Sequence, residues 1–195
     1  MSSRVFATLV MTAIVCLVAL PTPADQDELP LDIDAIAVNM SNIGPRGQMR
    51  LQIRVDRWST DDERARLIEA LKAQTGSRGE RELAESLFGK ESVGTIRETG
   101  TLAYDLRYSR LLPSEAGQMI VLATDRPIGF AESWRSSRTL DYNVSLIVLS
   151  LDEEGRGEGQ LVLGAQFSWD DVDNQVVIEN YASEPIRLTN VRVRH

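Results

Sequence analysis

The stretch LDYNVSLIVLSLDEEGRGEGQLVLGAQFSW, residues 140–169, decides the fold. Apolar residues alternate with their neighbours on both sides of a polar, glycine-rich insert, which is the pattern of two β-strands joined by a turn. Just before the insert the chain is apolar on both faces, as expected of a strand that enters the middle of a core. The stretch therefore predicts a long antiparallel hairpin at the centre of the domain.

Working outward from this hairpin, the same alternation predicts strands on both sides of it. The predicted strands cover residues 33–40, 49–55, 93–98, 102–112, 119–124, 176–181 and a last strand that starts at residue 186. In the last strand, Ile186 and Leu188 are at even-numbered positions, whereas Val191 and Val193 are at odd-numbered positions. This change of phase predicts a β-bulge near Thr189-Asn190.

A helical hairpin is predicted between the second and third of these strands. Ser59 is the expected N-cap, and the acidic residues at 61–63 follow it at the positive end of the helix dipole. Apolar residues at helical spacing continue to Leu71, and a second, shorter helix is predicted near residues 80–88. The acidic residues are interpreted as helix-capping groups in preference to catalytic acids.

The fold class indicated is α+β and mostly antiparallel. About eight or nine strands are expected to close as a single-domain sandwich or a partly open barrel over residues 33–195, with the helical hairpin inserted after strand two. An open sheet covered on one face by the two helices is the alternative. Residues 25–32, which are acidic and contain proline, are predicted to form a flexible leader.

The first 24 residues have the features of a cleaved signal peptide. Arg4 precedes an apolar run from Val5 to Leu20, and small residues at Thr22 and Ala24 suit cleavage before residue 25. The run is shorter than the roughly 20 apolar residues that a membrane-spanning helix needs. We therefore expect a secreted or periplasmic protein with no membrane span after signal removal.

The composition excludes several kinds of chemistry. Cys16, the only cysteine, lies inside the predicted signal, so the mature chain is cysteine-free, and the only histidine is the terminal His195. A Ser/His/Asp triad, a cysteine nucleophile and a histidine-ligated zinc site are therefore not expected. The formal net charge of −8 argues against nucleic-acid binding. The acidic runs at 152–158 and 170–174 lack the spacing of a calcium loop and are interpreted as turns, so no metal and no cofactor is predicted.

Arginine is the dominant basic residue and recurs on predicted strand faces. Such positions are Arg50, Arg54, Arg97 and Arg107. Arginine binds carboxylates through a planar fork, so these side chains suit both structural ion pairs and anionic ligands. We expect structural pairs across neighbouring strands, because carboxylates occur on the same faces. The expected partners are Asp56, Glu98 and Asp105.

The segment 125–138 is the predicted recognition loop. It shows no periodicity, and it combines two aromatic side chains with arginines beside a carboxylate, a mixture that is enriched at recognition sites. The candidate binding residues are Asp125, Arg126, Phe130, Trp134, Arg135 and Arg138. The alternative is that the aromatic residues pack under the sheet edge and that Asp125 forms a salt bridge with Arg126 or Arg138.

Three segments carry a resemblance to other proteins: RVDRWS at 54–59, LAYDLRYSR at 102–110 and ATDRPIGF at 123–130. They resemble an uncharacterised family of small secreted bacterial proteins, which implies export but no activity, ligand or catalytic residue. The expected function is that of an exported, non-catalytic domain that binds a protein or cell-envelope partner. A small-ligand carrier with a barrel-like interior and a carboxylate-dependent hydrolase are the alternatives, and no catalytic residue is assigned.

Overall fold

A computed structural model describes residues 29–38, 48–72, 87, 90–114, 117–125, 144–163, 165–170, 175–181 and 185–194. All the strand pairs in these ranges are antiparallel, so the mostly antiparallel α+β fold is confirmed. The elements are β1 (Leu31–Val38), β2 (Gln48–Val55), α1 (Asp61–Lys72), β3 (Gly94–Glu98), β4 (Tyr104–Leu106), β5 (Tyr108–Ser114), β6 (Gly117–Thr124), β7 (Ser145–Leu151), β8 (Arg156–Leu163), β9 (Ala165–Asp170), β10 (Gln175–Tyr181) and β11 (Ile186–Arg194).

Nine of the strands form one sheet that curls into a nearly closed barrel. Their order is β4-β3-β2-β1-β11-β8-β7-β6-β5, so the two edge strands are consecutive in the chain, with Arg107 between them. On the β3 side, Val93 N donates to Leu106 O at 2.9 Å. On the β6 side, Arg107 N donates to Ala123 O at 2.8 Å. The segment predicted as a single strand at 102–112 therefore pairs with β3 first and β6 afterwards. This exchange favours the partly open barrel over the sandwich and over the open sheet.

The central hairpin is formed by β7 and β8, as predicted. Their register runs from Ser145 opposite Leu163 to Leu151 opposite Gly157. In the turn, Gly155 has a φ of 70°, a left-handed conformation that favours glycine, and the Asp152 carboxylate accepts hydrogen bonds from two backbone N–H groups. The acidic insert thus forms a turn, as expected.

The second arm of the hairpin is shorter than expected. The prediction of one strand up to residue 169 is wrong, because β9 leaves the barrel and pairs with β10 in a separate two-stranded sheet. The barrel part of this arm, β8, lies between β7 and β11. The hairpin predicted between residues 170 and 176 is confirmed by the pairing of Gln175 with Asp170.

The barrel interior is filled by aliphatic side chains. Alternate residues of each strand point inward, which produces the buried and half-buried alternation of β1 and β7. Side chains less than 2% exposed in this interior include Ile33, Leu51, Ile53, Ile96, Leu106, Ile120, Leu122, Ile147, Leu149 and Leu151. Burying each such side chain contributes roughly 1.5–3 kcal/mol, so the interior is the main source of stability.

Helix α1 packs on the outside of the barrel. Leu67 and Leu71 are buried in a second cluster with Ala123 of β6 and Val162 of β8. The sequence predicted a helical hairpin, but the second helix falls outside the described residues except for Leu87, which is buried in this same cluster. One helix is therefore established beside the barrel.

The predicted N-cap at Ser59 is wrong, because Thr60 caps the helix. Thr60 Oγ1 accepts from Glu63 N at 3.2 Å, and Glu63 Oε2 accepts from Thr60 N at 2.8 Å, a reciprocal capping box. Ser59 is buried, and its hydroxyl accepts a hydrogen bond from Ser109 N at 3.1 Å. It therefore attaches the start of the helix to β5.

The two ends of the chain meet in the barrel, where β1 pairs with β11. β1 begins at Leu31, so the last two residues of the predicted leader belong to the sheet. The bulge expected in β11 is confirmed by the register shift between Leu188 and Val191 and by a φ of 51° at Asn190. The predicted signal peptide lies outside the described residues, and none of the helices within them is long and apolar enough to cross a membrane.

Candidate functional site

The predicted recognition loop is placed at one residue only. Arg126, Phe130, Trp134, Arg135 and Arg138 lie outside the described residues. Asp125 follows β6, and its side chain is 2% exposed, with Oδ1 at 3.5 Å from Arg107 Nε. Neither carboxylate oxygen has a hydrogen-bond partner among the residues that the structure describes. Asp125 is therefore a buried ionic partner of Arg107, the residue between β4 and β5.

Two of the four arginines pair with an expected carboxylate, but each pair joins residues two positions apart in the chain, whereas pairs between neighbouring strands were predicted. Arg54 Nε lies 2.8 Å from Asp56 Oδ1, and Arg107 Nη2 lies 3.1 Å from Asp105 Oδ2. The pairing expected with Glu98 is wrong for Arg97, whose Nε donates instead to Gln52 Oε1 at 2.9 Å.

The strand register collects arginines on the outer face of β3, β2, β1 and β11. The inward positions of these strands carry the interior leucine and isoleucine side chains, so the alternate positions point outward. One row across the strands contains Thr95, Arg54, Asp32 and Arg194, and the next contains Arg97, Gln52, Asp34 and Arg192. Arg50 lies opposite Ile36 in the following row. We call this surface, defined by Arg50, Arg54, Arg97, Arg192 and Arg194, the arginine face.

Part of the arginine face has no carboxylate partner. Arg54 Nη1 approaches Asp32 at 3.2 Å, and Arg194 Nε approaches Asp34 at 3.3 Å. Within the described part of the chain, the other three arginines, Arg50, Arg97 and Arg192, form no ion pair. The five arginines face Asp32, Asp34 and Asp56, so the surface has a local excess of positive charge in a chain with net charge −8.

A groove of about 390 Å³ opens on the arginine face. Its lining contains Arg54, Arg97 and Arg194, the polar groups of Gln52 and Thr95, and one carboxylate, that of Asp32, which is paired with Arg54. Since Gln52 Oε1 accepts from Arg97, the amide NH₂ of Gln52 is left to donate. The groove thus presents mainly hydrogen-bond donors, which suits an anionic group such as a carboxylate or a phosphate.

A second polar cluster lies at the start of α1 and has a structural role. Arg57 Nη1 and Nη2 donate to the two carboxylate oxygens of Glu63 at 3.0 and 3.1 Å. These bonds, opposed by burial and assisted by Thr60 N, hold the pKa of Glu63 at about 2, against an ordinary 4.5. Burial lowers the pKa of the nearby Lys90 amine, whose Nζ has no hydrogen-bond partner within the described part of the chain. The interpretation of Glu63 as a capping group is confirmed.

Over the described residues, these features define a nearly closed antiparallel β-barrel with α1 packed on it and an arginine-bearing outer face. No family model, no curated protein and no solved structure matches the chain. Among the described residues there is no group of three or more histidine, cysteine or acidic side chains arranged to hold a metal ion. The arginine face is therefore the candidate site that the described coordinates support.

The sequence contained part of the signal for this face. The alternation in β2 already placed Arg50, Gln52 and Arg54 on a solvent-facing side. It did not reveal that β11 lies beside β1 and adds Arg192 and Arg194, because this neighbour relation joins opposite ends of the chain.

Proposed function

We propose that the chain is an exported, non-catalytic domain that binds a protein or cell-envelope partner through the arginine face. The observation that carries the proposal is a group of arginines on the outer surface of a barrel, three of which have no carboxylate partner among the described residues, in a chain of net charge −8. Arginine on such a surface binds planar anions through paired N–H groups. An acidic partner is the complement of this surface.

The alternative of a carrier has less support. Carriers of the barrel type hold their ligand in an interior cavity, usually of about 300–1,000 Å³. Here the interior positions carry large aliphatic side chains, of which Ile147 and Leu149 are fully buried. This packing weighs against a ligand inside the barrel.

The alternative of a carboxylate-dependent hydrolase also has less support. Glu63 has a pKa of about 2 and already accepts hydrogen bonds from Arg57 and Thr60. A carboxylate with so low a pKa is ionised at neutral pH and does not serve as a general acid. Its contacts account for it as a structural group.

Export is part of the proposal and rests on the apolar run from Val5 to Leu20. We predict a secreted or periplasmic protein whose mature chain starts at Asp25. Amino-terminal sequencing of protein recovered from the periplasm or the medium of a bacterial host checks this. An unprocessed chain that remains in the membrane fraction contradicts it.

The binding proposal is tested with charge-reversal variants. Wild-type protein and the double variant Arg97→Glu/Arg192→Glu are used to capture host envelope proteins, and each captured protein is purified and titrated. We expect affinity at least tenfold weaker for the double variant, and weaker binding of wild-type protein as salt is raised. Arg66→Glu, an exposed substitution on α1, is the control and should stay within twofold. Equal affinity for all three proteins contradicts the proposal.

A further inference from the structure

We infer that Arg97, Gln52 and Thr95 form a subsite for a carboxylate group, and that the ligand of the arginine face is an acidic peptide segment of the partner. The inference rests on the proposed function, because it specifies the chemistry of the same face. It can fail separately, since the face can bind a partner without using this subsite.

The first argument is the fixed orientation of the donors. The Nε–H of Arg97 donates to Gln52 Oε1 at 2.9 Å, and the two Nη groups have no partner among the described residues. Gln52 lies directly opposite Arg97, and Thr95 lies opposite Arg54 in the adjacent row. Strands hold such rows rigidly, so the donors are arranged before a ligand arrives and little ordering is required on binding.

The second argument is the geometry of the guanidinium end of Arg97, which has no partner among the described residues. Two Nη groups side by side match the two oxygens of one carboxylate. The same arrangement occurs elsewhere in the chain, where Arg57 binds both carboxylate oxygens of Glu63 with its Nη1 and Nη2 atoms at 3.0 and 3.1 Å. Arg97 has the same group exposed in the groove without the carboxylate. A glutamate or aspartate of a partner supplies it.

The third argument is the charge and size of the groove. Asp32, the acidic residue in the lining, lies 3.2 Å from Arg54 Nη1 and opposite Arg194 in the strand register. These two arginines offset its repulsion of an anionic ligand. The volume of about 390 Å³ is near the lower end of the range for ligand sites, which suits side chains of a peptide. Ala103 also lines the groove and adds an apolar contact for the peptide.

The experiment is a calorimetric titration of the full chain with a capped tri-glutamate peptide at low ionic strength. The test variant is Gln52→Glu, which keeps the size of the side chain but places a carboxylate beside Arg97, where it competes with the ligand. The matched control is Gln160→Glu, the same substitution at an exposed position of β8 outside the groove. We expect Gln52→Glu to weaken peptide binding at least tenfold and Gln160→Glu to change it less than twofold.

Four results overturn the inference. Equal weakening of peptide binding by both variants would show that the effect is general electrostatic repulsion. Absence of peptide binding to wild-type protein would show that there is no such subsite. Inorganic phosphate that binds as tightly as the peptide and displaces it contradicts the assignment to a carboxylate. If Gln52→Glu leaves capture of the partner intact while Arg97→Glu/Arg192→Glu abolishes it, the subsite fails and the proposed function stands.

Discussion

The contact between Glu63 and Arg57 gives a sharp prediction about stability and pH. Replacing Glu63 with glutamine keeps a side-chain oxygen that can accept from Thr60 N, so the capping box is retained. The substitution removes the negative charge that Arg57 holds with two hydrogen bonds. The expected loss of stability therefore comes from the ion pair and not from the cap.

The magnitude follows from the pKa of Glu63, which is about 2 in the folded chain against an ordinary 4.5. At about 1.4 kcal/mol for each pKa unit, the difference corresponds to at most about 3.5 kcal/mol. The side chains of Glu63 and Arg57 are 19% and 34% exposed, and solvent screening reduces the expected contribution to about 1–2 kcal/mol. Because the folded pKa is lowered, this stabilisation is present above pH 4.5 and is lost as the pH falls towards 2.

Urea unfolding of wild-type protein and Glu63→Gln between pH 7 and pH 3 measures the effect. We expect a gap in the free energy of unfolding of about 1–2 kcal/mol at pH 7 that narrows steadily below pH 4.5. Glu69→Gln, an exposed position on the same helix, is the control and should show a gap below about 0.5 kcal/mol throughout. A gap of the same size at pH 7 and pH 3 refutes the assignment to the ion pair.

Three further predictions concern the barrel and the loop. Leu149→Ala should cost about 2–5 kcal/mol in urea unfolding, because it leaves a cavity in the interior, whereas Leu102→Ala at an exposed turn should cost less than about 0.5 kcal/mol; equal losses would contradict the assigned core. Gly157→Ala should lower the melting temperature, since the added Cβ meets a neighbouring backbone carbonyl, and an unchanged melt would argue against the tight β7–β8 approach. If the loop is a recognition surface, Trp134→Ala/Arg135→Ala should leave the melting temperature nearly unchanged and abolish partner binding; a loss on the order of 3 kcal/mol or more would rule the loop out as that surface.

Local pattern was sufficient to predict most of the strands. Alternation located most of the boundaries of β2, β7 and β11 to within two residues. The phase change near Asn190 revealed the bulge. The closure of the barrel was not predictable in this way. It depends on backbone hydrogen bonds of Arg107 and Leu106 to different neighbouring strands, and these pairings carry no periodic signal in the sequence.

The misplaced helix cap has a similar cause. Ser59 and Thr60 are both good capping residues, and sequence alone favoured the first. The structure assigns the cap to Thr60 because the Ser59 hydroxyl is occupied by Ser109 N, fifty residues further along the chain. The arginine face was underestimated for the same reason, since its rows combine strands from both ends of the chain.

The most direct test of the central claim is a nuclear magnetic resonance titration of wild-type protein with the tri-glutamate peptide. It follows the backbone amides of Gln52 and Thr95, the side chain of Arg97, and the methyl groups of Ile147 and Leu149 in the barrel interior. Binding at the arginine face predicts saturable shifts for the first three and none for the interior methyl groups. Shifts in the interior methyl groups, or no shifts at Arg97, would contradict the account.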